Sequence, residues 1–218
     1  MCYGKCAKCL GITLIPLALL GIILNTLLFF PNGETGYNTP EKLAGTVWCF
    51  SGILGSGLLM VFPILVFMGM ENNDCCGCCG NESCGKRFAN FSSVIFAGIG
   101  VAGAAYCFIV SAVGLNEGPK CTTTRNSNYT YIFTNGDYLG NYTMWDACID
   151  PPKIVTWHVT LFSLLLVLSV VQIVICAIQA VNGLIGFLCG ECSCCGSGSY
   201  HNCIVTLSYR TLTHFLPN

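Results

Sequence analysis

Four long runs without an acidic or basic side chain dominate this sequence: residues 10–30, 43–70, 88–115 and 154–190. A helix needs about 20 consecutive apolar residues to cross the hydrocarbon core of a bilayer, and each run is long enough. Only 9% of the 218 residues are charged, against roughly 25% in soluble domains. Such a chain cannot cover a globular surface with charge, and a bilayer is the solvent in which it is stable. The expected fold is an all-α membrane protein, a four-transmembrane-helix bundle with a small disulfide-closed extracellular loop. The formal net charge of -1 provides no basic field for nucleic acid.

The expected layout follows the runs. Residues 1–9 form a cytosolic N-terminus, 10–30 the first span, 31–42 a short extracellular loop and 43–70 the second span. A cysteine-rich cytosolic turn at 71–87 leads to the third span at 88–115. The large extracellular loop occupies 116–153, the fourth span 154–190 and a cytosolic tail 191–218. The first run is too long for the apolar core of a cleaved signal. It ends at Phe29, Phe30 and Pro31, with no small-residue cleavage site. Trp48 stands at the outer margin of the second run, and Pro63 is expected to kink it. The last run exceeds one crossing, so Trp157 and an interfacial His158 mark its entry and residues 161–188 its spanning part.

Sidedness rests on cysteine. Between Asp74 and Arg87 the chain reads D-C-C-G-C-C-G-N-E-S-C-G-K-R, and thiols this dense belong in a reducing compartment. Basic residues agree weakly, Lys5, Lys8, Lys86, Arg87 and Arg210 inside against Lys42, Lys120, Arg125 and Lys153 outside. With the termini in the cytosol, Cys121 and Cys148 alone face out and form an even pair. A bridge closing the 26 residues between them would contribute roughly 3 kcal/mol in the chain-entropy account. The sequons at Asn128 and Asn141 fall in the same loop, accessible to glycosylation. Those at Asn81 and Asn90 fall in the inner turn and at a helix start, and are read as chance.

The inner cysteines admit three readings. Cys6-x-x-Cys9, Cys75-x-x-Cys78 and Cys192-x-x-Cys195 have zinc-knuckle spacing, and free thiols are the simplest state. S-acylation is favoured, because the clusters abut three separate span ends where acyl chains can enter the bilayer. Its candidates are Cys2, Cys6, Cys9, Cys75, Cys76, Cys78, Cys79, Cys84, Cys189, Cys192, Cys194 and Cys195. Small residues at Gly52/Ser56, Gly98/Ala102 and Gly103/Cys107/Ser111 have the spacing that lets helices approach closely. Gln172, Gln179 and Asn182 share one face of the fourth span. Interhelical hydrogen bonding is their ordinary role, and a pathway for a small solute, or a lipid or metabolite sensor, is the alternative. No charge occurs inside any run, whereas ion-coupled transporters usually place one there. The outer loop offers Tyr129, Tyr131, Tyr138, Tyr142 and Trp145, residue types enriched among partner anchors. It reads equally as a glycosylated lid. No enzyme constellation emerges, the three histidines give no ligand spacing, and no cofactor or resident metal is expected.

The stretches M-C-Y-G-K-C-A-K-C-L from Met1, F-F-P-N-G-E-T from Phe29 and N-D-C-C-G-C-C-G-N-E-S-C-G-K-R-F-A from Asn73 resemble the four-transmembrane L-six antigen family, which is tetraspanin-like. So do G-P-K-C from Gly118, G-D-Y-L from Gly136 and I-Q-A-V-N-G-L-I-G from Ile178. The resemblance implies a non-catalytic, glycosylated plasma-membrane protein. It would associate with integrins, tetraspanins or other receptors and affect growth, adhesion and motility, and self-association stays open. Trp157-His158-Val159-Thr160 lacks the sequon that members resemble there, and residues 196–218 depart from the family pattern. True tetraspanins and claudins fit less well, the first for want of cysteines in the outer loop, the second because their larger loop comes first.

Overall fold

The computed structural model describes residues 2–34, 36–69, 82–124, 126–133 and 137–189. Helix α1 (Cys2–Leu28) ends where Phe29 and Phe30 turn into a single 3-10 turn opened by Pro31 (Pro31–Gly33). Proline suits a first helical position, where its missing N–H costs nothing. The second crossing is composite. A 3-10 turn (Gly45–Cys49) leads through Phe50, whose backbone is left-handed (φ 48°, ψ 32°), into a π-helix (Gly52–Leu58) and then α2 (Leu59–Gly69). Helix α3 (Glu82–Glu117) ends at Gly118, where the backbone is left-handed (φ 74°) and its N–H bonds the Gly114 carbonyl at 3.0 Å. That is the ordinary glycine stop of a helix. Helix α4 spans Ile154–Cys189.

Four segments are long and apolar enough to cross a membrane: Ala7–Leu28, Gly45–Gly69, Phe88–Glu117 and Ile154–Phe187. They pack as a closed ring in which α1 meets α2 and α4, and α3 meets α2 and α4, with α3 against α4 the most extensive contact. Two apolar clusters fill the ring. One, at the end remote from residues 118–153, gathers Leu14, Met60, Ile64, Phe67, Ala104, Ile175 and Cys176. The other, at the end next to those residues, gathers Leu24, Leu28, Val47, Cys107, Phe162 and Leu165.

Pro63 lies inside α2, and irregular backbone also occurs upstream of it, over Gly45–Leu58. Pro63 cannot bond the carbonyl four residues earlier and crowds it, while the glycines that precede it resist regular helix weakly. Gly98/Ala102 is not a packing contact within the bundle. Both residues face outward, and a side chain at Gly98 would meet no atom within 4 Å. The close approach is one turn away, where a Cβ on Gly103 would lie 2.7 Å from the Gly55 carbonyl oxygen, and one on Gly55 would strike the Gly103 carbonyl. Backbone there touches backbone.

Candidate functional site

The end of the bundle expected to face outward carries a small folded cap. Strands β1 (Lys120–Thr123) and β2 (Asn126–Tyr131) pair antiparallel, and Ile149 and Asp150 bond the other edge of β1 through Thr122. A disulfide joins Cys121 to Cys148. Between them Phe133 and Tyr138 stack at 4.4 Å, and both are buried with Ile154 and Val155. Tyr138 donates to the Leu115 carbonyl at 2.8 Å, pinning the cap to the end of α3, and accepts on its own carbonyl from Trp145 Nε1. Burial pushes the Tyr138 phenol up to about 12.

The short outer loop is fused to this cap. One Asp150 carboxylate oxygen accepts from the Tyr37 hydroxyl at 2.8 Å and the other from Tyr129. The hydrogen bond to Asp150 is the main cause that raises the Tyr37 phenol to about 12; burial, then the same carboxylate, raises Tyr129 to about 12. Tyr131 accepts from the Gly45 N–H at 2.8 Å, Asn32 donates to the Pro152 carbonyl, and Lys120 donates to the Pro40 carbonyl at 3.2 Å. The Lys42 ammonium lies over the rings of Tyr37 and Tyr129 and donates to the Gly36 carbonyl. Four hydrogen bonds between residues 80 to 120 positions apart along the chain thus hold two loops as one body. Sequence reasoning assigned function to the large loop alone, and no local signal announces a contact between residues 113 apart in the chain.

Beneath the cap runs a buried polar seam. Gln172 is fully buried and makes two bonds to one residue, accepting from Ser56 Oγ and donating to the Ser56 carbonyl, both at 2.9 Å. Ser56 lies in the π-helix, so the glutamine serves a carbonyl where the regular ladder is disturbed. Gln179 donates to Ser93 Oγ at 3.0 Å, and Asn182 lies half-buried on the same helix. His158 is buried against the protein, with Nε2 2.9 Å from the Gly114 carbonyl and its ring against Phe162. It sits where α4 meets the end of α3, and Trp157 beside it donates to the Leu27 carbonyl at 3.1 Å.

The two loop sequons differ in geometry. Asn128 is exposed on β2, and its N–H bonds Asn126 Oδ1. Asn141 is exposed too, and its Oδ1 caps the turn Tyr142–Ala147 by accepting from the Thr143 N–H and hydroxyl. That leaves its amide nitrogen, the atom a glycan would take, outside the cap. Asn90 is different, since its side chain packs on Gly186 of α4. Of the acylation candidates, Cys9 is exposed on α1. Cys2, Cys6, Cys84 and Cys189 fall on helical backbone at the ends remote from the cap. Cys75, Cys76, Cys78, Cys79, Cys192, Cys194 and Cys195 lie outside the described residues, and with them two of the three zinc-knuckle spacings; the third, Cys6-x-x-Cys9, lies on α1.

Comparison with known proteins places this architecture. The family model for L6 membrane protein matches residues 1–193. Transmembrane 4 L6 family member 4 of Rattus norvegicus is 58% identical over 194 residues, covering 89% of this chain and 95% of that protein. Member 1 of Homo sapiens is 52% identical over 204 residues, covering 93% and 100%, and human member 5 is 44% identical over 192 residues, covering 88% and 96%. No solved structure matches. A four-span bundle under a disulfide-closed cap, with matching sequence from Met1 to beyond the fourth span, belongs to the L6 membrane protein family.

Proposed function

We propose that this protein is a non-catalytic organiser of receptors at the cell surface, its termini in the cytosol and its cap outside. It associates with integrins, tetraspanins or other membrane receptors and thereby modulates growth, adhesion and motility. The observation that carries this reading is the fused outer cap. A surface held by a disulfide and by Asp150 loses little conformational entropy when a partner docks. It exposes side chains suited to that, with Tyr142 70% exposed and Leu139 and Met144 beside it in the same pair of turns. Glycans on Asn128 and Asn141 would confine docking to the sugar-free part of the cap. Acylation of the inner cysteines would sort the protein among lipid environments, since four spans already anchor it.

The solute-pathway reading loses its main residues, because Gln172 and Gln179 are both bonded to serines on neighbouring helices. Proximity labelling of the full chain in intact cells, beside solute flux in proteoliposomes, separates the two. Receptors enriched above a membrane-protein control, with flux at the empty-liposome level, support the organiser. Flux lost on Gln172→Leu substitution overturns it. Hydroxylamine-sensitive acyl label that persists after all inner cysteines are replaced would remove the acylation reading.

A further inference from the structure

Above Gln172 the polar seam changes character. Asn25, in the last turn but one of α1, is fully buried, and neither its amide nitrogen nor its oxygen has a hydrogen-bond partner in the protein. The hydroxyls of Ser51 and Ser111, also fully buried, are likewise without partners. These groups are neighbours. Asn25 packs on Gly52, the residue after Ser51, and the buried Cys107 thiol faces both serine hydroxyls. They also meet the irregular part of the second crossing, where Phe50 is left-handed and the π-helix begins. Backbone of that kind at membrane depth is tolerated where it is buried in protein or lines water. Unpaired buried polar groups are costly in hydrocarbon, and clustering several of them multiplies a penalty that a single neutral donor–acceptor molecule would remove.

We propose that Asn25, Ser51, Cys107 and Ser111 form an internal hydration site in the outer half of the bundle, holding ordered water against the broken turn of the second crossing. Water suits the chemistry of the site, which offers donors and acceptors together. An ordered buried water typically makes about three hydrogen bonds to such groups. The side chains lining it are neutral, so nothing there would balance an ion's charge. The site joins three helices, α1, the second crossing and α3, just below the cap, so its water is part of what holds the outer half in register.

Cysteine supplies the test, because a second thiol, Cys176, is equally buried but packs in an apolar cluster, beside glutamines whose side chains bond serines of the protein. Cys176 packs in the inner apolar cluster, against Gly100 and with Met60 and Phe67. Radiolytic hydroxyl-radical footprinting of the full chain in nanodiscs, in oxygen-18 water, labels buried side chains that touch ordered water. Cys107 should take up label at least tenfold faster than Cys176. In Asn25→Leu and in Ser51→Ala, each checked for a wild-type elution profile, the Cys107 rate should fall toward that of Cys176. Equal, slow labelling of both thiols in the wild type overturns the proposal. So does a Cys107 rate unmoved by either substitution in protein that elutes normally. Should Asn25→Leu fail to fold, Ser51→Ala and the wild-type comparison of the two thiols still decide.

Discussion

The half of the bundle remote from the cap, proposed to be the inner one, and the half beneath the cap, proposed to be the outer one, solve one problem in different ways. In the inner half, regular helices enclose an apolar cluster, Gln179 there bonds Ser93, and at the border Gln172 bonds Ser56 of the π-helix. In the outer half the second crossing abandons the regular helix, Asn25, Ser51 and Ser111 lack protein partners, and stability comes from above. There Tyr138, Trp157 and His158 reach the helix ends from the cap and the top of α4, and a disulfide closes the cap. The inner half is thus specified by packing within the membrane, whereas the outer half depends on the cap. Function is expected at the end whose structure depends on non-local contacts, since surface loops on a rigid scaffold are where recognition concentrates.

The largest effect should come at the border between the halves. Gly103→Leu places a side chain into the Gly55 carbonyl, where neither backbone can yield, and we expect loss of most folded protein in detergent size-exclusion. Gly98→Leu, on the lipid face of the same helix, should elute as wild type. Equal behaviour of the two would erase the distinction between the faces of α3. Next, replacing Cys121 and Cys148 with serine should cost about 3 kcal/mol. The loss should be confined to the outer half, with hydrogen exchange accelerated over 118–154 and unchanged over the inner half of α4.

Smaller effects sharpen the contrast. Gln172→Leu removes two hydrogen bonds but keeps apolar volume, and a loss of about 1 kcal/mol is expected, near the upper end of interhelical bonds in membranes. Its thermal shift should be matched by no change in cap exchange. The smallest is a pH effect. Tyr37 and Tyr129 have folded values near 12 against an ordinary 10. A raised folded value means that their contribution is complete below pH about 10 and is lost as pH rises through about 12. Limited proteolysis at the join of the two outer loops should therefore accelerate between pH 10 and 12 in the wild type, and far less in a Tyr37→Phe, Tyr129→Phe protein.

Much of the four-helix fold was legible because charge-free runs of bilayer length have few alternatives. The outer pair of cysteines was legible because only two remained once the crowded ones were set in the cytosol. Buried positions followed spacing where the spacing met a partner helix, as at Gly52/Ser56 and Gly103/Cys107/Ser111. Spacing alone could not say which face of α3 meets protein, so Gly98/Ala102 looked equivalent to the packed stripe. The 3-10 and π-helical turns of the second crossing were not legible, since glycines scattered over 45–57 weaken regular helix without saying where it breaks. The junction of the two outer loops was invisible because tyrosines and an aspartate in polar loops carry no periodicity that points to one another.

The fused cap as one recognition surface is the central claim, and outer-face proximity labelling of intact cells addresses it most directly. Wild type, Asp150→Ala and a Tyr142→Ala, Met144→Ala double variant are compared at matched surface levels. The account predicts that receptor neighbours enriched by the wild type fall at least fivefold in both variants, one by unlocking the loops and the other by removing the exposed side chains. An unchanged set of neighbours in both, with the variants at the surface in normal amount, would contradict it.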